Sequence, residues 1–283
     1  MCAKQVKILR TVAELRTAVR AWRRAGETVA LIPTMGALHD GHLALVRLGL
    51  EKCDRAVTSI FVNPTQFAPH EDFARYPRDE EGDLAKLAAL GCDLVWAPAA
   101  GEMYPEDFAT RVEPNGAAEG LESDFRPHFF GGVATVCCKL FMQVLPDIAV
   151  FGEKDYQQLS VVRQMVRDLD LPLEIVGSPT VREPDGLAMS SRNKYLSVEE
   201  RVIAPTLYSV IGKVAANIAS GLAISDACTV AKAELTHVGF KVDYVEVRDA
   251  ETLSPVEGPV RRPLRVLAAA WLGNTRLIDN VPG

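Results

Sequence analysis

The stretch Thr28–His42, TVALIPTMGALHDGH, decides how the whole chain is read. Its first part, Thr28–Pro33, is a short and nearly all-apolar run, the pattern of a strand buried on both faces. A helix is expected to follow from about Gly41 to Cys53. A strand that ends in a glycine-containing turn and opens a helix belongs to a doubly wound sheet, where ligands bind beyond the strand carboxyl ends. Gly36 and Gly41 let the backbone come close to a phosphate. Amide groups at the helix start attract anions. His39 and His42 stand three apart and face the same way on a first helical turn.

Working outward, the same alternation recurs. Helical periodicity spans Val12–Arg24 and ends before Gly26. The remaining strands are read at Ala56–Val62, Asp93–Ala97, Ile148–Phe151 and Leu173–Val176, with helices at Asp79–Leu90, Val133–Val144 and Tyr156–Leu169 between them. Five such alternations predict a Rossmann-like α/β fold, a doubly wound parallel sheet with helices on both faces. After Thr180 the pattern changes. A polar stretch, Arg182–Asn193, precedes helical patterns at Val198–Ser220 and Ser225–Val238 and strand-like runs at Val242–Val247, Leu264–Trp271 and Arg276–Ile278. This is the order of a smaller α+β domain. The expected division is residues 1–184 and 185–283.

Composition narrows the class. The 283 residues carry 31 Lys+Arg and 37 Asp+Glu, a net charge of -6, with 48% hydrophobic residues. That is ordinary globular composition, and the acidic balance argues against a nucleic-acid partner. No apolar run of about 18 residues stands out as a membrane span. The charged, amphipathic N-terminal stretch lacks the apolar core of a signal peptide, so a cytoplasmic location is expected. The six cysteines (Cys2, Cys53, Cys92, Cys137, Cys138 and Cys228) form no C-x-x-C pair and read as free thiols.

Three further motifs sit where chemistry is expected. Phe151–Gln158, FGEKDYQQ, opens a helix at a strand end. It places Lys154 where a compact charge meets phosphate, and Asp155 where a carboxylate caps a helix or meets a ligand. Met189–Asn193, MSSRN, offers two hydroxyls and a guanidinium, a phosphate clamp or simply a turn. Ser59–Phe67, SIFVNPTQF, presents the neutral amides of Asn63 and Gln66, which suit hydroxyl, carboxylate or amine groups, and Gln158 is a similar candidate. Zinc on His39 and His42 is disfavoured, because a third ligand is wanting and the spacing is not that of H-E-x-x-H.

Taken together, PTMGALHDGH, SIFVNPTQF, ARYPRD, FGEKDYQQL, DGLAMSSRN and LIDN resemble the signatures of the pantoate–β-alanine ligase family, in that family's order. The H-x-G-H element alone is similar to the wider nucleotidylyltransferase superfamily. The resemblance implies a Rossmann-like domain that binds ATP, a C-terminal domain that acts as a lid, and a homodimer. It implies that the carboxylate of (R)-pantoate attacks the ATP α-phosphate. β-Alanine then displaces AMP to give pantothenate.

By motif, Met35, Gly36, Ala37, Leu38, His39, Asp40, Gly41 and His42 would wrap the ATP, with His42 as proton donor. Gly152, Glu153, Lys154 and Asp155, together with Met189, Ser190, Ser191 and Arg192, would also hold it. His39, Lys154 and Arg192 would supply charge and donors at the reacting phosphate. Val181 would meet adenine through its backbone, Gln66 would touch both pantoate and β-alanine, and Gln158 and Asn63 would serve pantoate. Mg²⁺ would neutralise the β- and γ-phosphates, and Asp83 matches an acidic position near that metal.

One segment departs from the pattern. Where the family reads R-P-G-H-F-x-G-V, Arg126–Val133 reads RPHFFGGV, with His128–Phe129 in place of Gly-His. The alternatives weighed are another H-x-G-H adenylyltransferase acting on a phosphate ester, a nucleotide sensor without catalysis, and a metallohydrolase. Two amides beside the phosphate motifs favour a small hydroxy acid over a phosphorylated substrate, which calls for more Arg and Lys.

Overall fold

The structure is a computed structural model and describes residues 6–69, 71–256 and 262–283. In chain order its elements are β1 (Lys7–Leu9), α1 (Val12–Arg24), β2 (Val29–Thr34), α2 (Asp40–Lys52), β3 (Arg55–Ile60), α3 (Glu80–Leu90), β4 (Leu94–Trp96), α4 (Ala100–Met103) and α5 (Glu122–Phe125). There follow α6 (Phe129–Val144), β5 (Ile148–Gly152), α7 (Tyr156–Asp168), β6 (Glu174–Ser178), α8 (Val198–Ile203), α9 (Thr206–Ala219) and α10 (Ile224–His237). The chain ends with β7 (Lys241–Asp249), β8 (Leu264–Leu272) and β9 (Thr275–Pro282).

The chain divides into two compact units. The first takes the described residues of Met1–Pro114, with Arg126–Glu153 and Val161–Pro179. The second takes Asn115–Phe125, Lys154–Ser160 and the described residues of Thr180–Gly283.

In the first unit six parallel strands run in the order β1-β4-β3-β2-β5-β6. Strand β2 pairs β3 on one side and β5 on the other, so the order reverses beside it. Because strand side chains alternate, Ala30, Ile32, Ala56, Val95 and Val150 face one core with Leu45 and Val46 of α2 and Leu87 of α3. The alternate positions meet α6 on the other face: Trp96 Nε1 donates to Gln143 Oε1 at 3.2 Å, and the Phe151 and Phe141 rings lie 6.3 Å apart. Helices therefore cover both faces, as the apolar strand runs require.

Side-chain caps stop the helices where the sequence provides them. Thr11 and Glu14 close a capping box on α1, Asp79 caps α3, and Ser197 with Glu200 does the same for α8.

The second unit holds the antiparallel sheet β7-β8-β9. Its core joins Leu207, Val210, Ile211 and Val214 of α9 and Ala227, Ala231 and Leu235 of α10 to Val245, Val266 and Ala268 of the sheet. A buried ion network ties Asn115–Phe125 to that sheet. Arg276 Nη1 contacts Glu122 at 2.7 Å, Arg276 Nε contacts Asp243 at 2.7 Å, and the Tyr244 hydroxyl donates to Glu122 at 2.9 Å.

Four readings from the sequence are corrected. Strand β1 was not foreseen, since three residues among charges carry too little pattern; it forms only by pairing β4. Helix α6 begins at Phe129 rather than Val133, because packing overrides the low helix propensity of Gly131 and Gly132. The single helix expected over Val198–Ser220 is two helices, divided at Ala204 and Pro205, where proline removes a backbone donor. By length and composition Val198–Ala219 passes as a membrane span, although no such run stood out in the sequence. Its buried side chains belong to the second core.

Cys53, Cys92, Cys137, Cys138 and Cys228 are free thiols, and burial pushes the Cys137 thiol up to about 12. Cys2 lies outside the described residues.

Ile211 is fully buried in the second core. Ile211→Ala is expected to lower unfolding stability by about 2–5 kcal/mol, as large-to-small core changes do. Urea denaturation followed by circular dichroism measures this.

Candidate active site

In the first unit, the turn between β2 and α2 is held by hydrogen bonds between side chains and backbone. Thr34 Oγ1 donates to the Ser59 carbonyl at 2.6 Å and accepts the Gly36 amide at 3.2 Å. Gly36 has φ +83° and Ala37 φ +52°, so two consecutive residues are left-handed. A Cβ on Gly36 would lie 3.1 Å from both Asp83 Oδ2 and Ile60 Cγ2. Glycine thus answers both the conformation and the space.

The next amides have a partner that the sequence reading did not supply. Ala37 N–H donates to Asp83 Oδ2 at 2.8 Å and Leu38 N–H donates to Asp83 Oδ1 at 2.7 Å. Lys86 Nζ donates to the Leu38 carbonyl at 2.8 Å. These two amides, expected to face phosphate, face a side-chain carboxylate instead. Burial raises the Asp83 carboxyl above its ordinary range, against the lowering effect of both amides.

His39 is the N-cap of α2, one residue before the helix proper. As the i, i+3 spacing predicts, the His39 and His42 rings lie close, with centroids 4.1 Å apart. His39 N–H approaches His42 Nδ1 at 3.4 Å. Asp40 is exposed, while Gly41 is half-buried.

The amide pair is also brought together. Asn63 is buried, and its Nδ2 donates to Gln66 Oε1 at 3.0 Å and to the Gly132 carbonyl at 3.1 Å. Its Oδ1 accepts from Tyr104 Oη at 2.8 Å and from Thr65 Oγ1 at 2.9 Å. Both of its amide hydrogens and its carbonyl are engaged, so Asn63 holds Gln66 in place. Gln66 Nε2 in turn approaches Met35 Sδ at 3.3 Å. Helix α6 comes so near this turn that a Cβ on Gly132 would lie 2.5 Å from the Thr65 carbonyl.

The departing segment keeps a clear structural role. Arg126 forms a two-pronged ion pair with Glu71, Nε and Nη2 each at 2.7 Å, and its Nη2 reaches the Gln66 carbonyl at 3.3 Å. The Phe129 ring lies under this guanidinium, 3.8 Å from centroid to Cζ. Phenylalanine in place of the family's histidine therefore supports the arginine by cation–π contact.

In the second unit, Lys154 and Asp155 continue a short 3-10 turn that begins at Glu153, with Nζ 3.7 Å from the Asp155 carboxylate. The Lys154 carbonyl accepts from Asn280 Nδ2 at 2.8 Å, and Asn280 Oδ1 accepts from Arg265 Nε at 2.6 Å. Of the two adjacent glutamines, Gln157 is buried and bonds Glu122 N–H and the Ala117 and Gly120 carbonyls. Gln158 is half-buried.

The Arg182–Asn193 stretch is a pinned hairpin. Arg182 bridges Ala188, pairs with Asp279 at 2.6 Å and stacks on Tyr208 at 3.6 Å. The Val181 carbonyl accepts from Met189 N–H at 3.0 Å. Ser190 Oγ caps the following 3-10 turn, which begins at the buried Ser191 and carries Arg192. Asp279 and Asn280 of the LIDN motif thus anchor Arg182 and the Lys154 backbone from adjacent positions of β9.

The residues do not build a protein cage for a metal. Among the described residues no group of three His, Cys, Asp or Glu converges, and both Asp83 oxygens are engaged by amides.

Comparison with known proteins shows the family. The family model for pantoate-beta-alanine ligase matches residues 7–282. A pantothenate synthetase from Paramagnetospirillum magneticum is 58% identical over 277 residues, which cover 98% of this chain and 97% of that one. The crystal structure of pantothenate synthetase from Thermus thermophilus superposes with a TM-score of 0.91 at 48% identity, covering 98% and 99% of the two chains. A pantoate-beta-alanine ligase from Francisella tularensis, solved with beta-gamma ATP and beta-alanine, matches at TM-score 0.82 and 31% identity, covering 98% and 97%.

Two outcomes follow from these anchors. Asn280→Ala strips partners from the Lys154 carbonyl and from Arg265, and is expected to cost about 1–3 kcal/mol of stability, the usual penalty for polar groups left unpaired. Thermal melting measures it. Burial pushes the Glu71 carboxyl up, but Arg126 more than reverses this and holds it below its ordinary range. Its stabilisation is therefore present above the unfolded carboxyl value of about 4.3 and lost as pH falls through the lower folded value. Glu71→Gln should flatten the loss of melting temperature in that acid window relative to the parent protein.

Proposed function

The chain belongs to the pantoate–β-alanine ligase family, a ligase that makes pantothenate, and on that premise we propose how its residues divide the reaction. ATP is the activating substrate. The pantoate carboxylate attacks the ATP α-phosphorus, the bond to the bridging oxygen breaks, and pyrophosphate leaves. The amine of β-alanine then attacks the acyl carbon of the adenylate. The C–N bond forms, the C–O bond to AMP breaks, and the amine proton is lost to solvent.

A carboxylate acylates poorly, and adenylation gives it a good leaving group. The first step moves charge onto phosphate oxygens, so donors fixed in advance there lower the barrier. His42 serves as proton donor, its Nδ1 lying 3.4 Å from the His39 backbone nitrogen. His39, Lys154 and Arg192 add charge and donors. Met35–His42, Gly152–Asp155 and Met189–Arg192 hold ATP, and Val181 meets adenine. Gln66, steadied by Asn63, touches pantoate and β-alanine; Gln158 binds pantoate. Mg²⁺ would come with the ATP substrate and neutralise charge on its phosphates. The enzyme works in the cytoplasm, where ATP is available and its thiols stay reduced, and as a homodimer.

The observation that carries this reading is the His39–His42 pair at the carboxyl end of β2, beside the point where strand order reverses. Exchange of labelled pyrophosphate into ATP tests it, run with and without pantoate. Exchange that requires pantoate is expected; no exchange with pantoate, but exchange with a phosphate ester, would favour another H-x-G-H adenylyltransferase. His42→Ala, Lys154→Ala and Arg192→Ala should each slow exchange, the first two by about 100-fold or more, as lost transition-state donors do. Gln158→Ala should raise the pantoate requirement and leave ATP binding nearly intact, as titration of each substrate will show.

A further inference from the structure

The turn before His39 is shaped like a receptor for an anion. Consecutive left-handed residues, Gly36 and Ala37, turn the next amides toward one point, the concave arrangement that binds phosphates elsewhere. Here that point is filled from within the protein. Asp83, only 1% exposed in the first turn of α3, offers one oxygen to each amide at 2.8 and 2.7 Å. Lys86, one turn later, holds the Leu38 carbonyl at 2.8 Å and stands 3.7 Å from the same carboxylate. Helix α3 thus grips both the donors and the acceptor of the turn. Ala37 keeps its strained φ of +52° under that grip.

The same geometry is unsuited to a metal. Mg²⁺ demands near-octahedral oxygen ligands at about 2.0–2.1 Å and keeps several waters. A carboxylate shut from solvent, with both oxygens on amides, has no such coordination to offer. Among the described residues no second acidic or histidine cluster completes a site.

We propose that Asp83 is a positioning residue for adenylation: an internal anion that occupies the turn's amide receptor and fixes where His39 and His42 stand, and not a metal ligand. This deepens the reading of His42 above and rests on it. The carboxylate matters because an amide side chain accepts only one of the two backbone hydrogens and sets its own NH₂ against the other.

Two measurements on the full chain test this. In the ¹⁵N-labelled parent protein without ATP, the Ala37 and Leu38 amides should be protected from exchange, and MgCl₂ alone should not move their resonances. Unprotected amides, or resonances that titrate with MgCl₂, would overturn the proposal, whatever the enzyme's substrate proves to be. In Asp83→Asn, exchange of pyrophosphate at saturating ATP and pantoate should fall by about 10-fold or more, since misplacement by an ångström costs up to about 100-fold. The Mg²⁺ concentration for half-maximal rate and the KM for pantoate should stay unchanged. An undiminished rate would sink the positioning role, and a sharply raised Mg²⁺ requirement would restore the metal ligand. If Asp83→Asn fails to fold, the amide measurement on the parent protein still decides.

Discussion

Parallel pairing on both sides of β2 is the constraint from which the first unit follows. Parallel strands cannot be joined by tight hairpins, so each connection must cross over a face of the sheet, and helices come to cover both faces. The direction of travel reverses beside β2, where β3 lies on one side and β5 on the other. The chain exits of β2 and β5 therefore leave the sheet as neighbours. Those exits carry the H-x-G-H turn and the start of the Glu153–Asp155 turn.

The motif residues are supported by buried polar side chains as well as by the loops themselves. Asp83 holds the turn before His39, Asn63 holds Gln66, and Asn280 holds the backbone of Lys154. Each is satisfied by several partners, which is what makes a buried polar group tolerable. Each acts on backbone or on another side chain, so its effect is to narrow the positions open to that group.

The Arg126–Val133 segment shows how a motif can change while its support survives. Phe129 replaces the family's histidine, yet its ring underlies Arg126, which still pairs with Glu71 and reaches the Gln66 carbonyl. A histidine-based role is not needed to explain the order of this segment.

Much of this protein was determined by the sequence alone. Apolar runs alternating with helical periodicity set the doubly wound sheet, because strands covered on both faces are built mostly of apolar side chains. The spacing of His39 and His42 already placed the rings together, since three residues nearly complete a helical turn. Tertiary structure decided the rest. Strand β1 exists through its pairing with β4, and α6 starts early because packing against Thr65 requires Gly132. Above all, the partners of Asp83, Asn63 and Asn280 lie 45, 69 and 126 residues away along the chain. No local pattern encodes contacts at such separations. Only the folded chain, bringing α3 to the β2–α2 turn and β9 to Lys154, gives these three ordinary polar residues their partners.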